Sequence, residues 1–160
     1  LACKPHCRRR TEGSIDLIPE RALMLEAGLD RLGAVDFEKG CYVGQEVTAR
    51  THYRGLVKRR LVPLNIAGDP PAIDSDITWR GTVIGKSKTA AALAAPITGE
   101  HDPTDPKSIC LALLKLIDIH NILNASADDD GLTINGHAAA LALADWMQPL
   151  PRRAKTKSKP

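Results

Sequence analysis

The sequence predicts an α+β protein, with short helical stretches early in the chain and a small antiparallel barrel or sandwich of short strands after them. Three observations carry this expectation. In "IPERALMLEAGLDRLG", Ala22, Leu25, Leu29 and Leu32 recur at three- and four-residue steps, with Pro19 at a first helical position and Gly33 as a stop. From Leu56 the texture changes to runs rich in branched residues, "LVKRRLVPLNI" and "DITWRGTVIGKS". Asn135-Gly136 then stands between two apolar runs, the strongest short hairpin signal a sequence carries.

Taken in order, residues 1–14 show no periodic pattern and read as an irregular lead-in. The helical stretch that follows is weakened by Gly28 in its interior, which costs about 1 kcal/mol against alanine. A second helix of about ten residues is expected to end near Tyr53, with Gly55 suited to the left-handed position beyond it. Glu46 and Arg50 stand four apart in the supporting orientation. "DITWRGTVIGKS" predicts two extended runs around Arg80-Gly81. "SICLALLKLIDI" reads equally as strand or buried helix, and "IDIHNILN" as one helical turn. "KTAAALAAP" is ambiguous between strand and linker. The segments "GDPPAIDSD", "GEHDPTDP" and "ADDDG" read as connections; the last lacks the alternating spacing and distal glutamate of a calcium loop.

Bulk properties exclude several classes. With 160 residues, 43% hydrophobic and 26% charged, the chain has the composition of a globular protein with a core. Its net charge of +3 does not demand a polyanionic partner. Much of the basic excess lies in "CRRR" and in the tail from 150 to 160, expected to be disordered. No apolar run has the length of a membrane helix, and no signal peptide is evident. The chain begins with Leu1, which points to a fragment or processed product. The four cysteines, Cys3, Cys7, Cys41 and Cys110, are too scattered for a disulfide scaffold, so a reducing compartment is expected. Cys3, His6 and Cys7 are competent zinc ligands, but no second ligand pair follows at finger-like spacing, and they are read as a frayed terminus.

The stretch "KGCYVGQEVTARTHYRG" poses the functional question. If a helix begins near Val43 or Gly44, Cys41 precedes its first turn, where backbone N–H groups point outward. Lys39 adds a cation on the same loop, and both favour a thiolate. A reactive Cys41 and a buried structural one remain alternatives. Gly40 and Gly44 either let the backbone approach a ligand or punctuate a loop. Phe37, Tyr42 and Tyr53 are three of the five aromatics. They form a pocket wall or anchor the loop. His52 lies about three helical turns from Cys41 and need not approach it. The run "HYRGLVKRR" reads as a solvated strand face, or as a cluster that tracks phosphates or holds one acidic ligand.

"KGCYVGQE", residues 39–46, with "LEAGLD" before it and "TARTHYRGLVKRRLVPL" after it, resembles the signature of the YgfZ-type folate-binding proteins, relatives of the glycine-cleavage T-protein that support iron–sulfur cluster assembly and repair. "GTVIGKS", "CLALLKL" and "LADWM" extend the likeness. The resemblance implies that residues 15–55 close a T-protein-like folate-binding domain and that 56–149 form the family's C-terminal β-barrel. Family members are about twice this long, and the half that builds most of the folate cavity is not matched here. By position, Glu26 matches the acidic residue that holds the pterin ring. Cys41 matches the functional cysteine, with Lys39, Gly40, Tyr42, Gly44, Gln45 and Glu46 forming its loop. The implied cofactor is tetrahydrofolate and the implied partners are iron–sulfur client proteins or assembly factors. The implied location is the cytoplasm, or the mitochondrial matrix in a eukaryote. Two other readings stand beside this accessory role: T-protein-like one-carbon transfer, and binding or modification of tRNA.

Overall fold

The computed structural model describes residues 13–40, 43–93, 106–125 and 131–151. Six antiparallel strands form a closed barrel in the order β1-β4-β3-β2-β5-β6. They are β1 (Arg59–Ile66), β2 (Asp76–Trp79), β3 (Thr82–Ala92), β4 (Ser108–Lys115), β5 (Leu132–Ile134) and β6 (His137–Leu141). Helix α1 (Gly13–Asp16) and helix α2 (Gln45–Tyr53) precede the barrel, and α3 (Leu116–Leu123) joins β4 to β5. The expected α+β class, with its small antiparallel barrel, is what the chain adopts.

Local chemistry explains most of these elements. Asn135 (φ 50°) and Gly136 (φ 79°) make the two-residue turn of the β5–β6 hairpin. Arg80 (φ 49°) and Gly81 (φ 75°) do the same between β2 and β3. The ambiguous run from Ser108 is both of the things it resembled. It is a strand through Lys115, and from Leu116 it turns into a two-turn helix. Leu116 and Ile119 of that helix are buried three residues apart in the core, with Ile122 packed on the same side. "KTAAA" continues β3 as far as Ala92. The connections at 94–105 and 126–130 lie outside the described residues.

Strand β1 is buried along nearly its whole length, which means that both of its faces are covered. Val62, Leu64 and Ile66 point into the barrel with Cys110, Ala112 and Leu114 of β4. Leu61 and Leu111 point the other way, under Ala27, Leu17 and Leu29 of the preceding segment. The barrel therefore carries a second, outer layer of core.

That outer layer is where expectation and structure part. Residues 19–33 are a succession of turns, not the helix their spacing predicts. The reason is that two carbonyls a helix would use internally are taken by β1. Arg60 Nη1 donates to Leu25 O at 2.8 Å, and Leu61 N donates to Glu26 O at 2.9 Å. Leu29 N reaches back to Met24 O instead. Gly28 (φ 80°) reverses the chain here; a Cβ at this position would lie 3.4 Å from Arg60 Nη2 and 3.6 Å from Trp146 Cζ3. The lead-in also ends earlier than expected, because Gly13 and Ser14 already belong to α1.

Arg60 is fully buried, so the basic run is not simply a solvated face. Its guanidinium Nη2 lies 3.1 Å from Asp30 Oδ1 at ion-pair distance, but these two atoms and Nε lack aligned hydrogen bonds among the described residues. Removing one partner of such a pair leaves a buried charge uncompensated. Arg60→Ala is expected to lower unfolding stability by about 3–5 kcal/mol. The paired change Arg60→Met with Asp30→Leu should cost far less than the single change, as measured by urea denaturation. Additive losses would show that the two residues do not act as a pair.

Candidate functional site

The thiol loop is described from its two ends, since Cys41 and Tyr42 lie outside the described residues, as do Cys3, His6 and Cys7. On the entry side, Asp36 Oδ1 accepts the backbone N–H groups of Glu38 (2.9 Å) and Lys39 (3.2 Å), an Asx turn that sets the direction of the chain. Lys39 and Gly40 are exposed. On the exit side, Gly44 (φ 88°) is the N-cap of α2 and offers no side-chain cap. Gln45 opens the helix and Glu46 places an acid in its first turn, the favourable sign for the helix dipole. The helix stops at Tyr53, and Gly55 (φ 60°) follows, as the spacing predicts.

The aromatic residues act as an anchor. The His52 ring stacks on Phe37 with centroids 3.9 Å apart and an interplanar angle of 22°. Tyr53 meets both edge-on, at 6.0 Å from Phe37 and 5.2 Å from His52. The last turn of α2 is thereby joined to the residue from which the loop departs. His52 is distant from Cys41 along the helix, yet its ring packs on a residue four positions before the cysteine. No residue of α2 is itself buried. Val47, Thr48 and Thr51 face Leu23, Met24 and Leu25, and the aromatic contacts supply the other point of attachment.

Glu26 lies in a separate cleft of about 260 Å³ lined also by Asp16, Arg21, Arg59, Leu61 and Lys88, with Leu23 common to it and to the α2 contact. Two backbone ties position it. Its own carbonyl accepts Leu61 N, and the buried Asp16 at the end of α1 accepts Thr89 N at 2.9 Å, which closes the far wall. Burial pushes the Glu26 carboxyl above its ordinary value, and the Arg59 guanidinium partly offsets this. Among the described residues of the loop, 39–40 and 43–46, none lines this cleft. Arg59 is visible in the sequence only as part of a basic run; Asp16 and Lys88 gave no signal, because a hydrogen bond to Thr89, 73 positions away, and the pairing of β3 bring them to the cleft.

Cys110, the described thiol, is unlike a reactive one. It is buried in the barrel, and desolvation pushes its pKa up to about 12.

These features define a small α+β barrel module with a carboxylate-bearing cleft and a glycine loop whose described ends are anchored. No family model matches the chain. It is 55% identical over 62 residues to the mitochondrial iron–sulfur cluster assembly factor IBA57 homolog of Mycosarcoma maydis, covering 38% of this chain and 15% of that protein. It is 51% identical over 61 residues to mitochondrial IBA57 of Mus musculus, covering 38% and 17%. With the IBA57 homolog of Chaetomium globosum it shares 40% identity over 91 residues, covering 52% and 21%. The chain thus spans 15 to 21% of the length of these relatives.

Two measurements check the site. A glutamate whose pKa is raised by folding contributes stability that is fully present below its unfolded pKa and lost as pH rises through the folded one. Glu26→Gln should therefore be more stable than the parent at neutral pH, with the gain fading as pH falls into the ordinary carboxylate range; pH-resolved thermal melts would register a constant gain if burial were not the cause. A maleimide reagent at neutral pH should leave Cys110 unlabelled in the native protein and label it in urea, as read by peptide mass spectrometry. Rapid native labelling of Cys110 would contradict its burial.

Proposed function

We propose that this chain carries the barrel-bearing part of a folate-dependent iron–sulfur cluster assembly factor, with Cys41 as its reacting thiol. One observation carries this reading: roughly half of the aligned residues are identical to proteins named as iron–sulfur cluster assembly factors. The mitochondrion is the matching location, following those relatives' names, and the matrix is the compartment this reading assigns within it.

The residues present fit one end of a folate. A carboxylate can accept two parallel N–H bonds from an aminopyrimidine edge, and the desolvated Glu26 would gain from such donors. A cleft of about 260 Å³ falls just short of the roughly 300–1,000 Å³ of complete ligand sites, which suits one wall of a larger cavity. When bound, the folate supplies a heterocycle that can carry one-carbon groups. Glu26 would hold and orient that ring, with Arg59 favouring the charged form of the carboxylate against its burial.

The loop supplies the second chemistry. Lys39 and the N-terminus of α2 both favour negative charge, so an ionised Cys41 is the group to engage sulfur, iron or a client's thiol, with the cluster as cargo. Lys39 is a positioning and charge-setting residue in this scheme. The aromatic anchor at Phe37 and His52 holds the loop's base while the cysteine works.

Complete relatives provide the test. The change matching Cys41→Ala should reduce the activity of cluster-containing enzymes to the level of a strain lacking the factor, whereas full activity would remove the thiol from the mechanism. The change matching Glu26→Gln should weaken tetrahydrofolate binding about 10- to 100-fold, the worth of a charge-assisted hydrogen bond. Unchanged binding by calorimetry would exclude Glu26 from the pterin contact.

A further inference from the structure

The cleft at Glu26 continues into a second one of about 290 Å³ on the outer face of the barrel. The two share Arg59, Lys88 and Leu113 as lining residues, so they form one groove running from Glu26 across strands β1, β4 and β3. The character of the groove changes along its length. Glu26, Asp16 and Arg21 line the first cleft alone, Asp74, Lys86 and Lys115 the second alone, and Arg59 and Lys88 stand in both.

Two of the second cleft's cations have acidic partners. Lys88 Nζ lies 2.6 Å from Asp74 Oδ1, and Lys86 Nζ lies 2.5 Å from Asp76 Oδ1. The remaining two face each other. Arg59 of β1 and Lys115 of β4 are direct cross-strand partners in the antiparallel register, which puts both side chains on the same face. Both are exposed; Arg59 acts on the Glu26 carboxylate from a distance, but among the described residues no acid stands at ion-pair distance from either. Like charges directly opposite each other on a sheet cost stability. An antiparallel pair has no structural need for this arrangement, since either residue could be neutral or acidic and the strands would pair as well or better.

We infer that the Arg59–Lys115 pair is an anion clamp that holds the carboxylate-bearing tail of the ligand whose heterocyclic head rests on Glu26. Resting on the folate reading above, this assigns the preferred ligand as a folate extended by several γ-linked glutamates. The head donates hydrogen bonds to the one carboxylate. The tail brings an α-carboxylate per glutamate to the cations, and the like-charge opposition becomes attraction. Leu113, between the two ends, offers an apolar surface for the uncharged middle of the ligand.

The test compares 5-formyltetrahydrofolate carrying one glutamate with the same compound carrying five, by calorimetry on the full chain and on Lys115→Gln. The five-glutamate form should bind about tenfold more tightly, the order expected of two partly exposed charge pairs. That gap should collapse at high salt and in the variant. Lys115→Gln should melt no lower than the parent at low salt, which shows that the variant is folded. Equal binding of the two folates by the parent protein would overturn the clamp and leave the folate reading standing. If neither folate binds but free penta-γ-glutamate raises the melting temperature of the parent and not of Lys115→Gln, the clamp stands and the folate reading falls. Absence of both effects would remove both. A tRNA transcript that displaces penta-γ-glutamate and binds more tightly than it would mark the groove as phosphate-tracking and overturn the assignment.

Discussion

The guanidinium of Arg60, closed inside the end of the barrel, is the constraint from which the position of everything ahead of β1 follows. It grips Leu25 O and faces Asp30, two points five residues apart on a segment that has no regular secondary structure of its own. A buried ion pair is weak evidence for stability, because desolvating both charges consumes most of what their attraction returns. Burial indeed pulls the Arg60 pKa below its usual value against the opposing pull of Asp30. What the pair provides is location: a charge with one acceptable neighbour fixes a turn segment more uniquely than apolar contacts alone could. Leu25, Ala27 and Leu29 then fall onto the barrel, and Glu26 falls beside Arg59.

The segment so fixed has two working sides. On one, Leu23 to Leu25 receive α2 through Val47, Thr48 and Thr51. On the other, Glu26 and Ala27 form the rim of the cleft. Helix α2 and the Glu26 carboxylate thus share a support. A movement of this strip would reach both, and Arg60 is what restrains it.

The barrel was legible in the sequence because its information is local. Asn135-Gly136 favours positive φ at two successive residues, the signal of a tight hairpin, and Arg80-Gly81 adopts the same turn with glycine at its second position. The run from Ser108 was ambiguous because one apolar stretch serves a strand and then a helix, and periodicity cannot divide a stretch that is buried in both forms. Residues 19–33 misled for the opposite reason. Their apolar spacing is helical, but the competing acceptors for β1 lie at Leu25 and Glu26, more than thirty positions from Arg60, and no local pattern records that. Arg59 and Arg60 make the same point within two residues. Adjacent positions on a strand face opposite ways, so one lines a groove and the other enters the core. The candidate site was legible as residue types, through the likeness around Glu26 and Lys39, whereas the cleft that gives Glu26 its environment was not.

The thiols complete the argument by contrast. Cys110 stands in a strand whose neighbours Ile109, Leu111 and Ala112 are all buried, and its pKa near 12 follows from the absence of water. It serves as a small apolar side chain. Among the described residues no charge offsets that burial, and the buried Arg60 guanidinium is committed to Leu25 and Asp30. Any thiolate chemistry would have to come from outside the core, where a lysine and the start of a helix coexist, and among the described segments that combination occurs where Lys39 and Gly40 lead towards α2. The packing that makes the barrel stable also makes its own cysteine useless as a nucleophile, which is a physical reason for the glycine loop to stand apart from it.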